Sequence, residues 1–230
     1  MDEILGTQEL TKRYGNQLAL DGLSFSLKKG QVLGVIGPNG SGKTTFFSIV
    51  LGLRKASSGS FTILGNSDPE EVRNKVGVIL DQGNFYQNIS AKKNLTISGM
   101  TKKVDLSRVD ELLEKVGLGK VGDKSFKNFS YGMKKRLEVA DALLGQPELV
   151  IMDEPTNGLD PEGIIFIRDL ILQLQNEGKT IMLSSHYLDE VEKVCTDFLI
   201  LKNGKKIFHG SKDAVKDNFK SLESVFTNKF

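Results

Sequence analysis

The chain has 230 residues, of which 39% are hydrophobic and 26% are charged, so it can bury a sizeable core as an ordinary globular protein. Its 31 basic and 29 acidic residues leave a net charge of +2, which is too balanced to favour a nucleic-acid or anionic-membrane partner. The single cysteine excludes an internal disulfide, the acidic start is not a secretory signal, and no apolar run approaches the roughly 18 residues of a membrane span. We therefore expect any membrane role to depend on another chain.

Short β-type runs dominate the N-terminal region, where glycine or Lys-Lys-Gly turns interrupt them. These runs cover residues 3–10, 18–27, 31–36, 59–64 and 76–80. Residues 91–145 differ, because they carry charged helical patterns over 110–116, which Gly117 ends, and over about 131–144. The sequence therefore predicts short strands followed by a helical subdomain that is inserted into an α/β core.

Strands and helices alternate after residue 145, which favours a parallel sheet. The pattern predicts strands over 149–152 and 180–183, a helix over about 161–176 and another helix from about Tyr187. Two late strands, 197–202 and 205–208, flank the hairpin signal Asn203-Gly204. The order of these elements is typical of an α/β core.

The C-terminal tail places Val215, Phe219, Leu222 and Phe226 on one helical face. This spacing predicts a single helix that docks on the core. Two other residues of this region, Cys195 and His209, are expected to be a packing residue and a solvated side chain, respectively.

A complete phosphate-loop motif, G-x-x-x-x-G-K-[ST], covers residues 37–44 between the apolar run 32–36 and a helix start. Its glycines let backbone N–H groups converge on phosphate oxygens, and the helix start adds unpaired donors and a positive dipole end. Lys43 supplies a charge for the β- and γ-phosphates, and Thr44 supplies a hydroxyl for Mg²⁺. The residues expected to bind nucleotide here are Gly37, Asn39, Gly40, Ser41, Gly42, Lys43, Thr44 and Thr45.

Two acids, Asp153 and Glu154, directly follow the apolar run 149–152. The carboxyl end of a parallel strand lies at the rim where α/β sheets bind ligands. We expect Asp153 to hold Mg²⁺, directly or through water, and Glu154 to polarise an attacking water. Two solvated loop acids would look the same in isolation, but the phosphate loop upstream favours hydrolysis of a nucleoside triphosphate.

Five further motifs resemble, in order and approximate spacing, those of the nucleotide-binding subunit of an ATP-binding cassette (ABC) transporter, and the resemblance covers nearly the whole chain. It implies that Tyr14 stacks on the adenine ring. It implies that Gln82, in the glutamine loop, contacts Mg²⁺ and the attacking water, and that His186 is the switch histidine that contacts the γ-phosphate. The implied cofactors are ATP and Mg²⁺.

The segment Phe129-Ser130-Tyr131-Gly132-Met133 resembles the family signature, whose commonest form is Leu-Ser-Gly-Gly-Gln. Ser130 and Gly132 match that form, whereas Tyr131 and Met133 depart from it. The resemblance implies that Ser130 and Gly132 receive the γ-phosphate that the other subunit binds, through a helix N-terminus. The variant Ser-x-Gly-Met-Lys-x-Arg-Leu is similar to that of ABC-2 type exporters, including drug and lantibiotic self-protection systems.

The segment Asn157-Gly158-Leu159-Asp160 resembles the D-loop, which in this family couples two sites across a dimer. Asp160 is also expected to cap the helix whose first turn holds Pro161. In the stretch 90–95, which in the family faces the transmembrane partner, Lys93 stands where an acid commonly precedes Asn-Leu. The reversed charge either tunes the choice of partner or is a solvated lysine without consequence.

The resemblance implies one ABC ATPase domain over 1–230, with a P-loop NTPase (RecA-like) α/β core, an N-terminal antiparallel β subdomain and an inserted helical subdomain. The core is expected over 1–90 and 146–230, and the helical part over 91–145. The implied partners are a second nucleotide-binding subunit, in a homodimer or a heterodimer, and a separate permease chain, without nucleic acid. The implied location is cytoplasmic, on the inner face of the cell membrane.

Two alternatives to a transporter ATPase remain. A soluble ABC-type ATPase could act on another macromolecular machine, but ribosome-associated forms usually carry two cassettes and DNA-repair forms carry long coiled-coil insertions, which this chain lacks. A regulatory nucleotide binder without turnover is disfavoured by the intact Lys43, Asp153, Glu154 and His186. We therefore expect an ATP-hydrolysing subunit that powers an exporter through ATP-driven dimerisation.

Overall fold

A computed structural model describes residues 3–80, 85–219 and 221–228 of the chain. Its strands are β1 (Glu3–Tyr14), β2 (Gln17–Lys28), β3 (Val32–Ile36), β4 (Ser58–Ile63), β5 (Val76–Ile79), β6 (Leu149–Met152), β7 (Thr180–Ser185), β8 (Asp197–Lys202) and β9 (Lys205–Ser211). Its α-helices are α1 (Lys43–Val50), α2 (Ala91–Lys102), α3 (Val109–Lys115), α4 (Tyr131–Leu143), α5 (Pro161–Asn176), α6 (Leu188–Val194), α7 (Lys212–Asn218) and α8 (Leu222–Asn228). Short 3₁₀ turns connect several of them.

The larger sheet has six strands in the order β5-β6-β7-β3-β8-β9, and every pairing except β8 with β9 is parallel. All residues of β3, β6 and β7 are buried, as expected for strands covered on both faces. The β8–β9 hairpin turns at Asn203 and Gly204, whose φ values of 50° and 77° suit a two-residue hairpin loop. The predicted parallel sheet and the predicted hairpin are therefore confirmed.

The smaller sheet consists of three antiparallel strands in the order β2-β1-β4. It lies over one face of the six-stranded sheet, where a hydrophobic cluster joins the two. Leu5 and Leu27 of the small sheet share this cluster with Phe46 of α1 and with Leu33 and Val35 of β3. The predicted antiparallel β subdomain is confirmed.

A second hydrophobic cluster covers the opposite face of the large sheet and extends into α2, α3 and α4. Successive side chains of a strand point to opposite faces, so Val150 and Met152 belong to this cluster while Leu149 and Ile151 belong to the first one. Leu137 of α4 is fully buried in it. The helices between β5 and β6 therefore pack on the core as an inserted helical part, while its division from the core at residues 91 and 145 stays a prediction.

The C-terminal tail differs from the prediction of one helix, which is wrong. Phe219 adopts φ −143° and ψ 151°, an extended conformation that ends α7. A new helix, α8, follows, in which the Ser221 hydroxyl accepts a hydrogen bond from Ser224 N at 3.2 Å. Leu222 N also donates to Glu192 Oε1 of α6 at 3.2 Å, so the tail bends where a tertiary contact pulls it onto the core.

The predictions for Cys195 and His209 have different outcomes. Cys195 is 3% exposed, so its predicted packing role is confirmed. His209 was expected to be solvated, which is wrong: its ring is half-buried on β9 and lies edge-on to Phe25, 5.4 Å between centroids. Burial, with Lys206 nearby, lowers the pKa of His209 below its usual value. No local pattern indicated that Phe25 of the antiparallel sheet would pack on this side chain.

Candidate active site

The carboxyl ends of three neighbouring strands form one edge of the large sheet. In the parallel register, Ile36 at the end of β3 lies beside Ser185 of β7, and Met152 at the end of β6 lies beside Leu183 of β7. The phosphate loop, the acid pair and His186 each follow one of these strands. Topology alone therefore brings three separated sequence motifs to one edge, as the sequence predicted for β6 and β3.

The phosphate loop is packed so closely that two of its glycines have no room for a side chain. A Cβ on Gly37 would lie 2.3 Å from the carbonyl oxygen of Leu201. Gly42 has φ 108°, and a Cβ there would lie 2.5 Å from the carbonyl oxygen of Ala19. Gly42 directly precedes α1, so the loop leads its backbone donors to the helix N-terminus.

Lys43 is the first residue of α1 and folds back over the loop. Its Nζ donates to the Gly37 carbonyl at 2.6 Å and lies 3.9 Å from Glu154 Oε1. Lys43 is only 6% exposed, and this burial lowers the pKa of its amine, against the opposing effect of the Glu154 and Asp153 charges. The ammonium is therefore held at the loop and partly neutralised before any phosphate arrives.

Ser184, a residue that our sequence analysis did not single out, connects the two acids. Its buried hydroxyl donates to Asp153 Oδ1 at 2.5 Å and accepts from Glu154 N at 2.8 Å. The other oxygen of Asp153 accepts from Thr44 Oγ1 at 3.4 Å. A serine near the end of the strand beside the acid-bearing strand was the available signal.

The Glu154 carboxylate lies between two groups that can carry positive charge. Its Oε2 is 2.8 Å from His186 Nδ1, and its Oε1 is 3.9 Å from Lys43 Nζ. Glu154 has φ 47°, in the left-handed region that costs energy for a residue with a side chain. The surrounding contacts hold a strained residue at the sheet edge, which is typical of functional sites.

An open cleft of about 340 Å³ runs along the loop. Residues 39–45 of the loop, Tyr14 and Glu154 form most of its wall. Gln17 and Ala19, which the sequence analysis missed, complete the wall and follow Tyr14 across the β1–β2 turn. The cleft therefore joins the predicted adenine residue to the predicted phosphate residues.

The ring of Tyr14 is 39% exposed, so one aromatic surface is available at this cleft. Lys12 Nζ and Arg54 Cζ lie 5.1 Å and 5.6 Å from its centroid. A flat ring with cations beside it suits a flat base that carries phosphates. The adenine role of Tyr14 stays a prediction.

The donor set of the cleft fits a magnesium triphosphate. Ser41 Oγ is buried and has no hydrogen-bond partner among the described residues, so a phosphate oxygen would satisfy it. Thr44 and Asp153 offer hydroxyl and carboxylate oxygens, which Mg²⁺ prefers, and Mg²⁺ in such sites takes its other ligands from phosphate and water. The described residues hold no cluster of three or more His, Cys, Asp or Glu side chains that would bind a metal without the nucleotide.

The remaining predicted residues lie apart from this cleft. Ser130 and Gly132 stand at the start of α4, where Ser130 Oγ accepts from Met133 N at 3.3 Å. Asp160 caps α5 through an Oδ1 that accepts from Gly163 N at 2.9 Å, as predicted. None of the three belongs to the cleft wall that the described residues form. Gln82 lies outside the described residues.

The chain is similar to ATP-binding subunits of transporters in sequence. A family model described as ABC transporter matches residues 20–157. The lantibiotic transport ATP-binding protein SrtF of Streptococcus pyogenes is 39% identical over 225 residues, which cover 98% of this chain and 96% of that protein. The bacitracin transport ATP-binding protein BcrA of Bacillus licheniformis is 43% identical over 213 residues, which cover 89% of this chain and 69% of that protein.

Solved structures give the same result for the fold. The ATP-binding subunit of an ABC transporter matches with a TM-score of 0.88 at 28% identity, over 98% of both chains. An ATP-binding cassette of an ABC transporter in its ADP conformation matches with a TM-score of 0.87 at 25% identity, over 99% of both chains. The resemblance that the short motifs indicated, and the predicted P-loop fold class, are therefore confirmed.

Proposed function

The chain belongs to the ABC transporter family, whose ATP-binding domains are ATPases that drive transport, and from this premise we propose that it powers an exporter through an ATP-driven dimer. Export is supported by the Ser-x-Gly-Met-Lys-x-Arg-Leu variant over 130–137 and by the similarity to lantibiotic and bacitracin transport proteins. The similar proteins are transport subunits, so we favour this function over a soluble ATPase of another machine. The proposed location is the cytoplasmic face of the membrane.

The observation that carries the proposal is the grouping of Lys43, Glu154 and His186 beside a phosphate loop. Phosphoryl transfer needs positive charge at the phosphate oxygens and a base that orients the attacking water. Lys43 supplies the charge, and Glu154 supplies the base. Lys43 Nζ and Glu154 Oε1 are 3.9 Å apart. A solvated pair of loop acids would not be held by a lysine, a histidine and a buried serine at once.

In the proposed reaction, the loop amides and Lys43 hold the β- and γ-phosphates of ATP. Glu154 accepts a hydrogen bond from a water, which attacks the γ-phosphorus as the bond to the β–γ bridging oxygen breaks. The proton of the water passes to Glu154, and ADP and phosphate are the products. His186 Nδ1 is engaged by Glu154, which leaves Nε2 as the nitrogen that meets the γ-phosphate.

Mg²⁺, if bound, would supply positive charge to the triphosphate. Thr44 and Asp153 would hold it, with Gln82 as a further proposed ligand. The Ser184 hydroxyl keeps Asp153 in place by donating to Oδ1, so the other carboxylate oxygen faces Thr44. One side chain, that of Ser184, therefore orients both the acid that would bind the metal and the adjacent acid that activates water.

We propose that the site is completed by a second copy of a nucleotide-binding subunit. Ser130 is exposed, and it caps the 13-residue helix α4, whose free N–H donors and positive end suit an anion. Because Ser130 and Gly132 do not line the cleft of their own chain, they are available to a γ-phosphate held by another chain. Two copies arranged about a twofold axis would then close around two ATP molecules.

We propose that a permease chain docks on a depression between the end of β5 and α2. This depression has a volume of about 380 Å³, and its lining includes Leu80, Phe85, Ile97 and Asp141. Asp141 pairs with Lys102 Nζ at 2.8 Å, so the depression offers a polar contact beside its apolar ones. Among the described residues, no helix combines the length and apolarity that a membrane span requires.

Glu154→Gln tests the proposed function. We expect ATP binding to persist and hydrolysis to fall by about 100- to 10,000-fold, because the amide cannot take the proton. The variant is then expected to accumulate as an ATP-bound dimer, which gel filtration with and without ATP would detect. Glu111→Gln makes the same change at an exposed acid of α3, which pairs with Arg108 outside the cleft, and serves as a control for charge alone. A Glu154→Gln variant that stays monomeric with ATP would contradict the dimer mechanism.

A further inference from the structure

Tyr131, the residue that departs most in size from the family signature, forms a contact within its own chain. It begins α4 and is 47% exposed. Its Oη donates a hydrogen bond to the carbonyl oxygen of Asn157 at 3.1 Å. A Cβ added to Gly158 would lie 3.4 Å from the ring, so the ring also packs against the following residue. Tyr131 therefore ties the start of α4 to the segment that follows the acid pair.

The backbone of Asn157 connects this contact to Glu154. Its N–H donates to the Glu154 carbonyl oxygen at 3.1 Å, and its carbonyl oxygen accepts from Tyr131. The turn is otherwise held by Leu159 N, which donates to the Thr156 carbonyl oxygen at the long distance of 3.3 Å. Both backbone polar groups of Asn157 are thus bonded: its N–H bonds to the backbone of Glu154, and its carbonyl oxygen bonds to the first residue of α4.

The strained backbone of Glu154 makes this support necessary. Its φ of 47° persists only where surrounding contacts hold it. Ser184 holds the amide of Glu154 on the side of the sheet, and His186 holds its carboxylate. The carbonyl oxygen of Glu154 accepts from Asn157 N, and the carbonyl oxygen of Asn157 in turn accepts from Tyr131 Oη.

We propose that Tyr131 is a positioning residue that fixes the turn over 154–160 and thereby the orientation of the Glu154 carboxylate. The proposal rests on the proposed function for its catalytic consequence. Tyr131 is adjacent to Ser130, so any displacement of the α4 start when a second copy docks reaches Glu154 through Asn157. The glycine found at this position in the common form of the signature has no side chain for such a connection.

Tyr131→Phe tests the proposal, because it keeps the ring against Gly158 and removes only the hydroxyl. Loss of one hydrogen bond predicts a fall in kcat of roughly two- to tenfold, with the KM for ATP unchanged since the cleft is intact. Thr96→Val, which removes a hydroxyl that bonds only within α2, is the matched control and should keep the wild-type kcat. An unchanged kcat in Tyr131→Phe would overturn the proposal.

A combination with Glu154→Gln separates positioning from general packing. If Tyr131 acts through Glu154, Tyr131→Phe should not lower the residual single-turnover rate of Glu154→Gln any further. An equal fold-loss in both backgrounds would show that Tyr131 acts elsewhere and would overturn the proposal.

Amide hydrogen exchange tests the inference without a measurement of ATPase activity. Tyr131→Phe should speed exchange in the turn over 154–160 by roughly two- to tenfold and leave α2 at its wild-type rate. Unchanged protection of the turn would overturn the positioning role even if the wild-type protein proved to be an ATPase. A wild-type protein without ATPase activity, but with faster exchange in the variant, would contradict the proposed function and leave the turn contact supported.

Discussion

The sheet edge and the start of α4 both present groups for phosphate, but they differ in how their groups are satisfied. At the sheet edge, Lys43, Asp153, Glu154 and His186 all contact one another or Ser184 within the chain. At the start of α4, the hydroxyl of the exposed Ser130 bonds, among the described residues, only to the Met133 amide of its own helix. The first region is preorganised, whereas the second presents a capped helix end without a charged partner.

This difference indicates which part of the reaction each region can perform. Preorganised charges stabilise a transition state because they need no rearrangement when the reaction occurs. A helix end supplies attraction for an anion but no base or proton acceptor. The sheet edge is therefore suited to hydrolysis, and the start of α4 is suited to sensing whether a nucleotide is present on another chain.

The largest expected effect on nucleotide binding comes from removing the positive charge at the sheet edge. Lys43→Ala should weaken ATP binding on the order of 100-fold, because it removes a charge-assisted contact from a buried position. Titration with a fluorescent ATP analogue measures the loss. Lys75→Ala is the control, since Lys75 is an exposed lysine in an ion pair with Glu148 at 3.1 Å. Near-normal ATP binding by Lys43→Ala would contradict the role of the sheet edge in holding the phosphates.

A smaller effect is expected from the residue that organises the acids. Ser184→Ala removes both the bond to Asp153 and the acceptor for Glu154 N, so kcat should fall by about tenfold while nucleotide still binds. Steady-state ATPase assays over a range of Mg²⁺ concentrations measure this change.

Thr180→Val provides the control for Ser184→Ala on the same strand. Thr180 Oγ1, at the amino end of β7, accepts from Gly30 N at 3.0 Å and is equally buried. Its loss should lower stability without changing kcat. Equal effects of the two variants on kcat would mean that Ser184 acts only through general stability.

The smallest effect on the isolated chain is expected at the start of α4. Ser130→Ala should cost about 1 kcal/mol of stability through the lost helix cap, and it should leave ATP binding by one chain unchanged. Ser211→Ala removes an equivalent cap from α7, where Ser211 Oγ accepts from Ala214 N at 3.1 Å. Only Ser130→Ala should also reduce ATP-dependent dimer formation, which sedimentation or light scattering measures. Equal dimer formation in both variants would contradict the role of Ser130.

The parts of the site that follow local rules could be predicted from the sequence. The phosphate loop, Asp153 and Glu154 occupy fixed positions relative to a strand or helix, and parallel strands bring their ends to one edge. Asp160 was predictable as a cap because a cap bonds within three residues of itself.

Tertiary contacts account for what the sequence did not predict. Ser184 bonds to acids 30 and 31 residues away, and Tyr131 bonds to a carbonyl 26 residues away, so no local pattern records them. The break at Phe219 was missed because helical spacing continued through it, while a contact between Leu222 and Glu192 decided the outcome. The burial of His209 likewise depends on Phe25 of the other sheet.

The central claim, that the start of α4 in one chain meets the phosphate loop of another, is tested most directly by crosslinking. A chain with Asn128→Cys, an exposed position two residues before Ser130, is mixed with a differently tagged chain with Pro38→Cys, an exposed position in the phosphate loop. Both chains carry Glu154→Gln and keep Ser130, and the mixture is treated with a short bismaleimide. The native Cys195 is 3% exposed, and burial raises the pKa of its thiol, so it should not react. The account predicts an ATP-dependent covalent product that contains both tags. Absence of that product with ATP bound, or its equal formation without ATP, would contradict the account.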